Sequence, residues 1–208
     1  MAQSALRIAD RYTWDDYLRW PGDERWELIG GAAHAMAPSP SLDHKDISGE
    51  LKSRMHLFFK GKKCKVFAAP TDVRLSEEDV VQPDLLVVCD TSQMKRHIDG
   101  PPALVVEIVS PSSARIDRVA KPELYARFGI KEYWIVTPFP STVEVFWLQG
   151  DRYVFWKGFG HEDVLTSPGF PGLRIELAGV FELAQQQHAG ELSVAKEGPA
   201  RYVGSVEA

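Results

Sequence analysis

Two short, almost unbroken apolar runs constrain this chain more than anything else in it: Leu85-Leu86-Val87-Val88-Cys89 and Leu104-Val105-Val106-Glu107-Ile108-Val109. Runs this short are strand-sized rather than helix-sized, and their β-branched content suits strands. A strand that is apolar on both faces must be covered on both, which puts these runs at the centre of a sheet with helices above and below. One residue breaks the pattern. A carboxylate inside such a strand loses its hydration, so Glu107 demands a compensating partner. Strand alternation sets it on the face of Val105 and Val109, away from Leu104, Val106 and Ile108. Asp84 repeats the oddity directly before the other run.

The flanking sequence supplies the remaining elements. Thr13 and Asp16 have the spacing of a capping box and open a helix lasting to about Trp20. Trp26-Glu27-Leu28-Ile29, Gly30-Gly31 and Ala32 to Met36 form two strands about a tight turn. Asp43 can cap a helix in which Ile47, Leu51, Met55 and Phe58 share one face. Strands follow at Cys64 to Ala69 and Thr71 to Leu75. A helix at Asp117 to Phe128 is stopped by Gly129. Strands return at Glu132 to Thr137, Thr142 to Leu148 and Arg152 to Trp156. The sum is an α/β or α+β domain over residues 1–184. It comprises an N-terminal helix and hairpin at 13–36, a core at 43–137 and further strands at 142–177, and the glutamine-rich residues 185–208 read as a flexible tail.

Composition narrows the function classes. The chain has 208 residues, 44% of them hydrophobic, enough for one substantial core, and a net charge of −5 that advertises no polyanionic partner. No apolar run approaches a membrane span, and no secretory h-region opens the chain. Cys64 and Cys89 are the only cysteines. They are too few for a disulfide framework or a multi-cysteine zinc site, so the expectation is a reducing, cytoplasmic setting with Cys89 as a buried hydrophobe. His34, His56, His97, His161 and His188 lack zinc-ligand spacing.

Charge is distributed unevenly. Between Lys45 and Lys65 seven basic residues, among them Lys45, Lys52, Lys62 and Lys63, face only Asp46 and Glu50. A basic helix on an acidic body can track phosphates, with affinity that falls as salt rises. The same lysines equally describe a solvated helix face.

Asp84 and Glu107 on neighbouring buried strands can share one divalent cation, Mg²⁺ or Mn²⁺, which removes their mutual repulsion. On residue pattern alone, structural carboxylates paired with Arg or Lys account for them as well. Ser110 lacks a nucleophile elbow and reads as a turn or cap residue. The aromatics from Trp134 to Trp156 read mainly as core, with a base-stacking platform as the alternative.

Taken in order, Pro83-Asp84, Val106-Glu107-Ile108-Val109-Ser110-Pro111-Ser112, Asp117-Arg118, Lys121, Tyr125, Gly129 and Glu132-Tyr133-Trp134-Ile135-Val136 resemble the Uma family of restriction-endonuclease-like proteins, which is similar to the PD-(D/E)XK nucleases. The likeness runs from about Trp26 to Trp147. It implies a helix–three strands–helix–strand core, a mixed central sheet with added hairpins, and metal-dependent hydrolysis of nucleic acid, most readily DNA, by a homodimer. It also implies that Asp84, Glu107 and the Ile108 carbonyl hold the metal, that Lys121 stabilises developing charge, and that Glu27 and His44 complete the pocket.

The chain departs from the common nuclease signature by having Val109 two residues after the acid, so Lys121 takes the lysine's place from the next helix. Pro122 follows it and disfavours α geometry at Lys121. Lys121 as a solvated helix lysine, Glu27 as a cross-strand ion pair and His44 as a surface histidine are the competing readings. For the whole chain the competitor is a nuclease-fold binding or interaction module without catalysis.

Overall fold

The computed structural model describes residues 11–21, 24–36, 39–111 and 113–197, the last eight by backbone alone. Its centre is a six-stranded sheet of β3 (Lys65–Ala68), β6 (Leu85–Val88), β8 (Leu104–Ile108), β9 (Glu132–Thr137), β10 (Thr142–Gln149) and β11 (Arg152–Gly160), ordered β11-β10-β9-β8-β6-β3. Only the β8/β9 pair is parallel, because only there does a helix carry the chain across between neighbouring strands. Helix α2 (Leu42–Phe59), strands β3, β6 and β8, helix α3 (Lys121–Arg127) and strand β9 therefore reproduce the helix–three strands–helix–strand order expected.

Each face of the sheet has its own core. Leu85, Val87, Leu104, Val106 and Ile108 pack with Ile47, Leu51, Met55 and Phe59 of α2. The alternate residues Leu86, Val88, Val105 and Val109 pack with Leu124 and Tyr125 of α3. The α2 stripe ends on Phe59, 3% exposed, whereas the anticipated Phe58 packs at its margin. Spacing of four residues from Ile47 through Phe59 keeps all four side chains over one face.

A second sheet contains the expected hairpin and the strand expected at Thr71 to Leu75, with two further short strands that the sequence pattern did not mark, in the order β2-β1-β5-β4-β7. It comprises β1 (Trp26–Ile29), β2 (Ala32–Ala35), β4 (Val73–Arg74), β5 (Val80–Val81) and β7 (Ile98–Asp99). Gly30 and Gly31 have φ of 58° and 77°, as a two-residue hairpin turn requires. Asp79 fastens this turn: its Oδ1 accepts from Gly30 N at 2.7 Å and from Arg127 of α3 at 2.9 Å. The N-terminal helix α1 (Trp14–Tyr17) is shorter than expected but keeps its capping contact, with Thr13 N donating to Asp16 Oδ2 at 3.0 Å.

One expectation is corrected. Cys64 and Cys89 are joined by a disulfide, so Cys89 is not a free buried thiol, and the ground for inferring a reducing compartment falls. The reason is register: Lys65 pairs with Val88, and the next pair outward is Cys64 with Cys89. The glutamine-rich segment is helical, α4 (Glu182–Glu197), and is tied to the body where Gln185 Nε2 donates to Ser141 Oγ at 2.7 Å. Ser112 of the sequence motif and the tail beyond residue 197 lie outside the described residues. Among the described residues no helix is long and apolar enough to cross a membrane.

Candidate active site

The β6/β8 register governs the site. Leu85 pairs with Val106, so one step further Asp84 stands opposite Glu107. Asp84 closes the strand end: its Oδ2 accepts the Ile108 N–H at 2.7 Å and lies 3.3 Å from His44 Nε2 on the first turn of α2. Burial works against charging His44, but the hydrogen bond and charge of Asp84 outweigh it and raise the imidazole pKa.

Glu107 is 2% exposed and faces α3. Its Oε1 accepts from Tyr125 Oη at 2.6 Å and from Lys121 Nζ at 3.1 Å. Lys121 Nζ is also 3.1 Å from Glu27 Oε1 and 3.2 Å from Asp117 Oδ1. Glu27 arrives from β1 of the second sheet and is fixed there by the Gln82 N–H at 2.9 Å. Three carboxylates thus surround one ammonium, all four groups 2–3% exposed. Lys121 is no solvated helix lysine, and Glu27 pairs with it while its cross-strand neighbour is His34.

Electrostatics follow from this count. Burial disfavours the ammonium, yet Glu107, Glu27 and Asp117 overcome that cost and hold the Lys121 pKa well above the usual lysine range. The carboxylates outnumber the cation. Burial, and then the charges of Asp117, Asp84 and Glu27, push Glu107 well above the usual carboxylate range despite Lys121.

Pro122 shapes the approach of Lys121. The chain enters α3 through a π-helical turn, Ile116–Ala120, in which Lys121 N–H bonds to Ile116 O. The wider turn lets Lys121 keep right-handed helical angles, φ −66° and ψ −40°, in spite of the proline that follows. Asp117, one turn before Lys121, is brought to the same side of the helix.

Asp84, Glu107, Glu27, His44, Asp117 and Lys121 line one cavity of about 950 Å³. Lys45 and Lys52 stand at its wall. Lys62 and Lys63 do not: they follow the far end of α2, about 20 Å away by helix rise, where Lys62 lies over the Phe58 ring. Ser110 is a turn residue, with Ser110 N donating to Ser113 Oγ at 3.0 Å and Ser113 N to Ser110 Oγ at 3.2 Å. Trp134 is core, whereas Phe155 and Trp156 are exposed.

Asp117, Tyr125 and Gln82 join the site without having been singled out as site residues. The Asp117–Lys121 spacing of four on a helix was the available signal for the first. A backbone N–H such as that of Gln82 leaves no signal in sequence.

The hydrogen bonds described for the two strand carboxylates use Asp84 Oδ2 and Glu107 Oε1, so Asp84 Oδ1 and Glu107 Oε2 are the oxygens that a cation would meet. Among the described residues no cluster of three or more His, Cys, Asp or Glu side chains is arranged to hold a metal. Two carboxylates with a main-chain carbonyl nonetheless suit Mg²⁺, which keeps several waters and takes only one or two carboxylates alongside substrate phosphate.

A solved structure with this fold is that titled "a putative nuclease belonging to DUF820" from Anabaena variabilis. It superposes with a TM-score of 0.69 at 18% identity, covering 83% of this chain and 98% of that one. The fold is therefore restriction-endonuclease-like. "Uncharacterized protein slr1290" of Synechocystis sp. is 29% identical over 136 residues, 63% of this chain and 70% of the relative. Residues 14–178, which include Glu27, His44, Asp84, Glu107, Asp117 and Lys121, match the family Uma2, described as "Putative restriction endonuclease". With four-fifths of its length inside that match, the chain belongs to the Uma2 family.

Proposed function

We propose that this protein is a divalent-metal-dependent endonuclease acting on DNA. One observation carries the proposal: Asp84 stands opposite Glu107 on adjacent strands, in a cavity that also holds a buried, multiply paired lysine. Asp84, Glu107 and the Ile108 carbonyl would hold Mg²⁺ or Mn²⁺, which activates water and polarises a phosphodiester.

The chain's own residues do the rest. Lys121 keeps its proton through the neutral range, so it serves as a fixed positive charge beside the reacting phosphate and not as a base. Glu27 and Asp117 hold its Nζ in place. Tyr125 orients Glu107, and His44 orients Asp84. Lys45 and Lys52 attract the phosphates that flank the scissile one. A second copy of the chain would cut the other strand.

The test is digestion of plasmid and oligonucleotide DNA with Mg²⁺ or Mn²⁺, against EDTA, by the wild type and by Asp84→Ala and Glu107→Ala. Cleavage that needs metal and is lost in both variants is expected. Cleavage surviving both substitutions would falsify the assignment. The resident Lys121–Glu107 ion pair favours a second reading, a nuclease-fold binding module whose carboxylates are balanced without metal. Titration calorimetry separates the two, since that module gives no site-specific heat with Mg²⁺ or Mn²⁺.

A further inference from the structure

We infer that the cavity takes one unpaired nucleic-acid strand at a time, with Arg25 as a phosphate anchor on its wall. This deepens the reading of the same site as a nuclease and names its substrate form.

The first ground is depth. Glu27, Glu107, Asp117 and Lys121 are only 2–3% exposed, so they form the floor of the cavity and not its rim. At about 950 Å³ that space lies at the upper end of pockets that enclose small ligands, roughly 300–1,000 Å³. A few nucleotides of a flexible strand fill such a volume. A duplex holds both backbones on a stiff rod, and bending it to follow a surface already costs energy, so its phosphates cannot enter a deep pocket without unpairing.

The second ground is an unmet donor. Arg25 reaches the cavity just ahead of β1, with Nε donating to Gln82 Oε1 at 2.9 Å. Its Nη2 is buried and, among the described residues, has no hydrogen-bond partner. A buried donor is ordinarily satisfied, and this one, on a residue that lines the cavity, calls for a ligand rich in acceptors. Phosphate oxygens are such acceptors, and guanidinium suits them better than any other side chain. Gln82 ties Arg25 to the floor, because its own N–H holds Glu27 Oε1 at 2.9 Å.

The third ground is the wall. Ala35, Met36, Pro40, Pro70 and Pro111 offer apolar surface with no side-chain hydrogen bonds to give. The faces of unpaired bases can lie against this part of the wall, out of water.

The experiment measures binding by fluorescence anisotropy, in EDTA and in Ca²⁺, of one labelled single strand and of the same strand locked in a hairpin-closed duplex. The single strand should bind at least about tenfold more tightly. Arg25→Ala should lose about tenfold of single-strand affinity and little of duplex affinity, while Arg25→Lys recovers part of the loss. Equal affinity for the two forms, or no binding to either, overturns the inference, and the wild-type comparison needs no variant to fold. Binding is scored apart from cleavage: a protein that cuts DNA yet binds duplex equally well loses this inference alone. One that prefers the single strand but never cuts loses only the nuclease assignment.

Discussion

Tyr133 Oη donates a 2.6 Å hydrogen bond to the main-chain carbonyl of Asp117. In the π-helical turn Lys121 N–H reaches back five residues to Ile116 O, so the next acceptor in that pattern is Asp117 O and the next donor would be Pro122, which has none. A buried tyrosine on β9 thus completes the turn that aims Lys121 at Glu107. The helix irregularity and the site are one feature.

Tyr133→Phe tests this directly. Losing the hydroxyl leaves a buried carbonyl unsatisfied at the base of the Lys121 turn, at a cost of about 1–3 kcal/mol. Urea unfolding should report that loss, and unchanged stability would show that the carbonyl finds another donor.

Lys121→Met removes the ammonium that three buried carboxylates share. Truncating one partner of a buried ion pair typically costs about 3–5 kcal/mol, because the remaining charge is stranded. The expected result is a marked drop in denaturation midpoint, partly restored by adding Glu107→Gln to the same chain. A variant as stable as wild type would mean the carboxylates carry protons already.

The pH dependence of metal-free stability has a definite sign. Burial raises Glu107, Asp117 and Glu132 above their ordinary values, with neighbouring acids adding to it at the first two. Above about pH 4 the folded state then binds more protons than the unfolded one, so stability falls as pH rises through that window. His44 acts in the same direction, since its raised pKa gives stability that is present in acid and lost as pH climbs past the folded value. Denaturant titrations in EDTA should find the protein more stable at mildly acidic than at mildly alkaline pH, and Glu107→Gln should flatten the difference. A profile rising toward alkaline pH contradicts the charge count at the site.

Reducing the Cys64–Cys89 bond unties β3 from β6 on the strand that leads back to Asp84. The bond closes a loop with a sequence separation of 25 residues, and loss of a native disulfide costs about 2–5 kcal/mol. Unfolding with and without a phosphine reductant should differ by that order. Coincident curves would mean the bond does not form in solution.

Strand β11 lies at the open edge of the central sheet and exposes Phe155 at 56% and Trp156 at 42%. Long apolar edges of this kind invite pairing with another chain. If this edge makes the homodimer, Phe155→Asp with Trp156→Lys should yield a monomer by sedimentation velocity. An unchanged assembly state assigns the interface elsewhere.

Sequence alone determined the centre of this molecule. The runs at Leu85 and Leu104 specified two-sided strands, helical spacing specified the buried stripe of α2 from Ile47 to Met55, and paired glycines specified the hairpin, because each rests on local periodicity or local backbone freedom. The misfit of Glu107 in an apolar strand marked the site. What only tertiary structure decided was who compensates it. Lys121 comes from another element, Glu27 from another sheet, and the Gln82 N–H and Tyr133 hydroxyl act through contacts separated by tens of residues or by main-chain atoms that look the same in every sequence. The disulfide belongs to the same class, since two cysteines a strand apart pair only once the register of β3 against β6 is fixed.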